Sequence, residues 1–171
     1  MRVVRLGIDI YTVMVFPIVY ILPAYVANGA PVIFGGGAPL DMGRKLRGKP
    51  ILGSHKTIKG TVAGLLAGFL VAYIESFFLG YMLAVGVMLS LGTHAGDITG
   101  SFIKRRLGRK EGAKSLVLDQ YLFLVMALLF AAPLGIMPNV YGLLFIFVLT
   151  GVLHKATNMA AYKAKIKKVP W

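Results

Sequence analysis

Residues 61–93 read TVAGLLAGFLVAYIESFFLGYMLAVGVMLSLGT, and only Glu75 and Ser76 interrupt this apolar run. A single helix of that length would extend roughly 50 Å at 1.5 Å per residue, which is far more than the ~30 Å hydrocarbon core of a bilayer. The run must therefore fold back on itself, and Gly80 marks the turn within 78–81. The sequence predicts two membrane spans here, over about 60–77 and 81–96.

The composition of the whole chain indicates a membrane protein. Of its 171 residues, 57% are hydrophobic and only 15% are charged, and the length suits one domain. Further apolar runs predict spans over 6–28, 116–134 and 140–153, so the expected fold is all-α and polytopic, with about five transmembrane helices. The chain has no cysteine, which excludes disulfides and cysteine metal sites.

The basic residues predict the orientation of these spans. Polar stretches over 29–59 and 97–115 separate the spans, and with the C-terminal tail they carry all of the nineteen lysines and arginines except Arg2 and Arg5. The positive-inside rule then makes both loops and the C-terminus cytoplasmic and leaves the N-terminus outside. Topology and anionic lipid account for the net charge of +13, so nucleic acid is not an expected partner.

The first loop ends in an unusual stretch, GKPILGSHKTIKG, over residues 48–60. Its glycines let backbone approach a ligand, while Lys56 and Lys59 flank the start of a helix, where anions are favoured. With the hydroxyls of Ser54 and Thr57 nearby, the stretch suits a polyphosphate. It is not a P-loop, because G-x-x-x-x-G-K-[ST] does not occur. A helix cap followed by inside-positive lysines explains the same residues equally well.

Two acids fall at the cytoplasmic boundary. Asp97 is predicted to end the third span and Asp119 to open the fourth. Carboxylates at facing helix ends beside lysines suit Mg²⁺, which takes one or two carboxylates and completes its shell with water and phosphate. Alternatively, Asp97 pairs with Lys104 or Arg105, and Asp119 complements its helix dipole. The spacing leaves both interpretations open.

The remaining acids are expected to be structural. Asp9 and Glu75 are predicted near the outer ends of spans one and two, in contact with each other or with water. Glu111 is expected to pair with Lys110 or Lys114.

A glycine repeat and a histidine complete the pattern. Gly60, Gly64 and Gly68 recur every four residues and predict close helix packing. His94, three residues before Asp97, is expected to be an interfacial polar residue or a partner of that carboxylate.

Two segments together carry a family resemblance. GKPILGSHKTIKGTVAG and GDITGSFIKRRLGRKEGAKSLVLDQ resemble the archaeal CDP-archaeol synthases, CTP-dependent membrane cytidylyltransferases that are similar to bacterial CDP-diacylglycerol synthases. The resemblance covers nearly the whole chain. It departs from the bacterial pattern at His55, Lys59 and Gln120, which stand where proline, glutamate and arginine are expected. The matching positions are Ser54, Lys56, Thr57, Gly60, Gly96, Asp97, Ser101, Lys104, Arg105 and Asp119.

The resemblance implies transfer of CMP from CTP to the phosphate of an ether lipid, 2,3-bis-O-geranylgeranylglycerol 1-phosphate, at the inner membrane interface. It implies Mg²⁺ as cofactor, and CTP and a bilayer lipid phosphate as substrates. It leaves open a homodimer and the saturation of the acceptor chains. The implied roles are Mg²⁺ binding for Asp97 and Asp119, catalysis for these two and Lys104, and substrate binding for Asp41, Ser54, His55, Lys56, Thr57, Lys59, Gly60, Ser101 and Arg105.

The alternative function is a small channel or transporter with a basic vestibule, in which Asp9 and Glu75 would mark the pathway. Such a protein would carry polar residues along several spans. Here the spans are almost wholly apolar and the polar chemistry lies on one side, which favours an interfacial enzyme.

Overall fold

The computed structural model describes residues 9–111, 115, 118 and 120–166. Nearly all of its regular structure is helical. The elements are a π-helical turn over Tyr11–Val15, helix α1 over Phe16–Phe34, strands β1 over Lys45–Leu46 and β2 over Lys49–Pro50, helix α2 over Ile58–Ser76, helix α3 over Met82–Arg106, helix α4 over Leu122–Ala131 with a 3-10 turn over Ala132–Leu134, and helix α5 over Val140–Lys163.

The predicted all-α membrane fold is confirmed. Four helices are long and apolar enough to cross a membrane, and a shorter apolar helix covers Leu122–Leu134. The fold-back also lies where the sequence predicts it, since α2 ends at Ser76 and α3 begins at Met82. Between them, the N–H of Phe78 and that of Leu79 both donate to the carbonyl of Glu75, which closes the turn.

Helix α3 is the centre of the bundle. It packs against α1, α2 and α4. Half of its most apolar stretch is buried inside the protein, compared with 17% of the most apolar stretch of α5. The apolar core lies around it and draws Tyr20 and Ile21 from α1, Leu89 from α3 and Leu124 from α4. Residues on α3 are therefore positioned by three neighbouring helices at once.

Small residues bring these helices into backbone contact. A methyl group added at Gly64 of α2 would lie 2.6 Å from the carbonyl oxygen of Ala27 in α1. That carbonyl has lost its usual helical donor, because the residue four positions later is Pro31, which has no N–H. The predicted close packing is confirmed, since Gly60, Gly64 and Gly68 are all buried on one face of α2.

Helix α3 continues past the predicted end of its span. The hydropathy pattern places the membrane boundary near Gly96, but the helix runs on to Arg106. Gly108, at φ 72°, stops it: its N–H donates to Arg105 O, and the next N–H donates to Lys104 O. Asp97 therefore lies within a helix. Hydropathy marks where the chain leaves lipid, whereas α3 ends where Gly108 adopts a left-handed conformation.

The first loop folds onto the end of α3. Strands β1 and β2 pair antiparallel through a turn in which Gly48 has φ 77°. Arg106 donates to three carbonyls of this hairpin, those of Leu46, Lys49 and Pro50, at 2.5–3.2 Å. One arginine thus fixes the hairpin to the central helix.

Candidate active site at the loop end of the bundle

The two sequence segments meet through one ion pair. The ammonium group of Lys56 contacts Asp97 Oδ2 at 2.5 Å, although the residues are 41 positions apart. Both side chains keep partial access to solvent, with exposed fractions of 24% and 34%. We call this end of the bundle, with residues 35–57 and 107–111, the loop end. Asp97 thus forms its ion pair with Lys56, whereas the structural alternative from the sequence named Lys104 or Arg105.

A pocket opens beside this pair. It has about 270 Å³ of empty space, but this counts open solvent at its mouth, and only a small part of it is enclosed. A nucleotide would therefore reach beyond it. The lining residues come from α1, the first loop, α2 and α3, and they are Pro31, His55, Lys56, Thr57, Gly60, Thr61, His94 and Asp97.

Backbone contacts fix the position of Lys56. Its carbonyl accepts the N–H of Leu40 at 2.6 Å. Two residues later, the N–H of Ile58 donates to Ala38 O at 3.1 Å. Thr57 then begins α2 as its N-cap, with Oγ1 accepting the N–H of Gly60 at 3.1 Å. Lys56 is thus held next to an isolated β-bridge between Pro39 and Thr57 and before a capped helix, with its ammonium group on α3.

The same contacts decide how an anion could be held there. Two donors of the first turn of α2 are already occupied, since Ile58 N–H goes to Ala38 and Gly60 N–H goes to Thr57. For Thr57, the helix-cap interpretation of the sequence is correct. A phosphate here would depend on side-chain cations and on the Thr57 hydroxyl, which can still donate its own proton.

His94 forms the deep wall of the pocket. It is only 6% exposed, and its ring lies directly on Gly64, where an added methyl group would be 2.5 Å from Nε2. It comes one helical turn before Asp97. The imidazole therefore fills the space that the glycine leaves and separates the ion pair from the apolar core.

Asp41 organises the first loop. One carboxylate oxygen accepts the N–H of Leu52 at 2.8 Å and that of Gly53 at 3.1 Å, and the other accepts the N–H of Gly43 at 3.0 Å. Burial acts to raise the pKa of Asp41, but these backbone donors outweigh it, so the pKa lies below its usual value. The carboxylate is already engaged with backbone, and the predicted role of Asp41 in substrate binding remains a prediction.

Ser54 is engaged with the second loop. Its hydroxyl donates to Glu111 Oε2 at 2.6 Å and its N–H donates to Oε1 at 3.2 Å. The hydroxyl holds the pKa of Glu111 below its usual value. The expected partnership of Glu111 with Lys110 is wrong, because a hydroxyl and an N–H from the other loop reach the carboxylate instead. Lys114 lies outside the described residues.

The predicted residues of α3 form one face that extends beyond the pocket. Ser101, Lys104 and Arg105 follow Asp97 at helical spacings of four, seven and eight, which puts them on its side of the helix. None of the three lines the pocket. Ser101 and Arg105 are buried, and Arg105 donates through Nη2 to Lys110 O, while its Nε finds no acceptor among the described residues.

The two remaining predicted residues of the first loop differ in position. His55 lines the pocket beside Lys56, whereas Lys59 is an exposed residue in the first turn of α2 and does not line it. If Lys59 meets a phosphate, it does so outside the pocket.

The side chains at this site suit an Mg²⁺ ion that substrate phosphate helps to hold better than an ion held by protein ligands alone. Among the described residues, no three histidine, aspartate or glutamate side chains are grouped to hold a metal. Mg²⁺ needs only one or two protein carboxylates when phosphate and water supply the rest, and Asp97 offers one, partly exposed at the pocket. Asp119, the second predicted ligand, lies outside the described residues.

Comparisons with known proteins agree with one another. Residues 10–171 match the family model for CarS-like CDP-archaeol synthase. A CDP-archaeol synthase of Pyrococcus abyssi is 48% identical over 160 residues, covering 89% of this chain and 95% of that protein. One from Sulfolobus acidocaldarius is 40% identical over 156 residues, covering 90% and 96%. A solved structure of an intramembrane enzyme for archaeal membrane lipid biosynthesis has a TM-score of 0.79 at 36% identity, covering 85% of this chain and 94% of that chain.

Sequence reasoning missed three residues at this end of the molecule. Pro31 lines the pocket from within α1, although its position suggests a loop. Arg106 holds the hairpin and Glu111 holds Ser54, although both look like solvated loop charges. For Glu111, the available sequence signal was the glycine at position 53. Glycine suits the φ of 94° there, and the carboxylate occupies the space that a side chain would need.

Proposed function

The chain belongs to the CDP-archaeol synthase family, and from that premise we propose that it transfers CMP from CTP to 2,3-bis-O-geranylgeranylglycerol 1-phosphate, giving CDP-archaeol and pyrophosphate. It is a CTP-dependent cytidylyltransferase of archaeal membrane lipid synthesis. The single observation that carries the proposed site is the Lys56–Asp97 ion pair, because it joins the two family-like segments at one pocket.

The reaction asks little covalent chemistry of the protein. An oxygen of the lipid phosphate attacks the α-phosphorus of CTP, and the bond from that phosphorus to the bridging oxygen breaks, so that pyrophosphate leaves with the electron pair. The attacking phosphate is already an anion, so no general base is required. Catalysis then consists of alignment and of neutralising charge where pyrophosphate departs.

We assign the triphosphate to the cations of the first loop and the start of α2. Lys56 carries its charge at the pocket mouth with partial solvent access, and the Thr57 hydroxyl lies beside it. Lys59, exposed on the next turn, would contact the part of the nucleotide that extends beyond the pocket. His55, Ser54 and Gly60 complete the surface near the phosphates.

The lipid phosphate is assigned to the α3 face beyond Asp97. Lys104 and Arg105 lie two turns further along the helix, about 10–12 Å away along its axis. A buried guanidinium N–H without an acceptor in the described part of the chain, at Arg105 Nε, supports an anion contact there. Ser101 lies between the two groups on the same face.

We assign Mg²⁺ to Asp97, with Asp119 as the second carboxylate that the family resemblance implies. When bound, the ion would supply neutralising charge to the triphosphate. Asp97 also contacts Lys56, so the same carboxylate would orient a cation of the first loop.

The loop end is proposed to face the cytoplasm. All but two of the nineteen lysines and arginines lie in the two polar stretches and the C-terminal tail, which the positive-inside rule assigns to the cytoplasm. A channel or transporter is not proposed, since neither the family nor the relatives support it.

The decisive assay uses purified protein with labelled CTP, with and without Mg²⁺. Geranylgeranyl ether phosphate is offered in one arm and phosphatidic acid in the other, followed by lipid extraction. Label in the lipid fraction that depends on Mg²⁺ and on the ether lipid is the expected result. Label that never enters lipid would refute the reaction, and equal labelling of both acceptors would refute the assigned acceptor.

A further inference from the structure

Three consecutive N–H groups of the first loop are held by two carboxylates. Leu52 and Gly53 donate to Asp41, which belongs to the same loop. Ser54 donates to Glu111, which lies 57 positions away in the second loop. Two carboxylates therefore hold the segment between the β-hairpin and Lys56. We call this arrangement the clamp; Asp41 belongs to the same loop, whereas Glu111 comes from the second loop.

The contact with Glu111 is specific in its geometry. The carboxylate receives both the hydroxyl and the N–H of Ser54, one on each oxygen. It also lies against Gly53, where an added methyl group would come within 2.7 Å of Oε1. A residue with a side chain at that position would displace the carboxylate, and φ of 94° would strain it further.

This clamp continues directly into Lys56. The N–H of Lys56 donates to the carbonyl of Gly53 at 3.3 Å, which closes a turn over 53–56. One end of that turn is therefore held by Glu111, and at the other end the ammonium group meets Asp97. Movement of Gly53 and Ser54 would move the lysine.

The negative charge of Glu111 is unexpected beside a site that would bind an anion. A carboxylate close to a triphosphate site opposes the binding of another anion, so its electrostatic effect on CTP is unfavourable. A neutral acceptor could hold Ser54 without that repulsion. The carboxylate also attracts His55 and Arg105, so its hydrogen bonds to Ser54 have to be tested separately from its charge.

We propose that Glu111 is a positioning residue for CTP: it ties the second cytoplasmic loop to Ser54 and thereby holds the turn that presents Lys56 to the nucleotide. The inference rests on the proposed function, because it takes Lys56 as a contact of the triphosphate. Glu111 itself is assigned no contact with substrate.

The test compares two substitutions that separate hydrogen bonding from charge. Glu111→Ala removes both acceptors, and we expect the KM for CTP to rise about fivefold to tenfold while kcat changes by less than about twofold. Glu111→Gln keeps an acceptor for the Ser54 N–H and a partner for its hydroxyl, and should restore a KM within about twofold of the unaltered protein. Asp9→Asn, which changes a carboxylate bonded to Thr12 at the start of the first span, is the control and should leave KM unchanged.

Amide hydrogen exchange supplies a readout independent of turnover. Glu111→Ala should speed exchange at Ser54 and Lys56, and Glu111→Gln should not. An unchanged KM in Glu111→Ala overturns the inference while leaving the proposed function intact. A lower KM in both variants also overturns it, since the carboxylate would then act as a competitor of CTP. Absence of CMP transfer by the unaltered protein would instead refute the proposed function.

Discussion

The two ends of the bundle each contain a carboxylate on a helix, and the two carboxylates differ in their partners and in their access to solvent. Asp97, at the loop end, is paired with Lys56 and partly open to solvent. Glu75, at the opposite end, where the α2–α3 turn lies, has two oxygens with almost no accessible surface and no hydrogen-bond partner among the described residues. An acid in a membrane helix thus does not by itself mark a site of chemistry. Its partner and its access to solvent do.

The largest expected effect falls on Asp97. Asp97→Asn keeps the shape of the side chain but removes its charge, and we expect CMP transfer to fall about 100- to 1,000-fold, equivalent to ~3–4 kcal/mol. Glu75→Gln is the matched carboxylate-to-amide change at the other end and should leave turnover within about twofold. Labelled-CTP assays on both purified variants check this, and equal losses would erase the contrast between the two ends.

Lys56→Ala is expected to have the next largest effect. Loss of the ammonium group at the pocket should weaken CTP binding about 10- to 30-fold, measured by calorimetry. Lys59→Ala, a lysine three residues later that does not line the pocket, should weaken binding less. If the two variants lose the same affinity, the first loop acts only through its overall charge.

Much of the helical bundle follows from the sequence, and the reasons are physical. The close packing of α2 follows from glycines every four residues, and the fold-back follows from the length of an apolar run. That Lys56 and Asp97 would act together was expected from the family resemblance. Their direct contact was not, since it depends on α2 and α3 packing closely enough for His94 to lie on Gly64.

The roles of the loop charges could not be predicted from local pattern. Arg106 and Glu111 are surrounded by other charges, and their partners are a backbone hairpin and a serine more than fifty positions away. Such contacts are set by the tertiary fold, and charge spacing along one segment carries no record of them. The end of α3 was missed for a related reason, because hydropathy does not detect the helix stop at Gly108.

A smaller effect is expected at Arg106, which holds the β-hairpin that only the loop end of the bundle has among the described residues. Arg106→Ala removes donors to three carbonyls and should speed amide exchange over 45–49 about fivefold. Arg106→Lys should recover only part of the protection, because an ammonium group lacks the planar fork of a guanidinium. Unchanged exchange in Arg106→Ala would mean that the hairpin is held by its own two strands.

The smallest effect concerns Asp41 and acid pH. Its pKa in the folded protein lies below the usual value, so the stability it provides is present above the ordinary pKa near 4 and is lost as the pH falls through the folded value. Asp41→Asn should therefore lower Tm by about 2 °C at neutral pH, and the difference should vanish in acid. A difference that grows in acid would contradict the assigned hydrogen bonds.

The central claim is that Lys56 and Asp97 act as one unit in a nucleotide site. A double-mutant cycle on kcat/KM for CTP, with Lys56→Ala, Asp97→Asn and the double variant, tests it most directly. Because the two side chains are in contact, the double variant is predicted to be no more than about twofold worse than Asp97→Asn alone. Losses that multiply as though the two residues were independent would contradict the account.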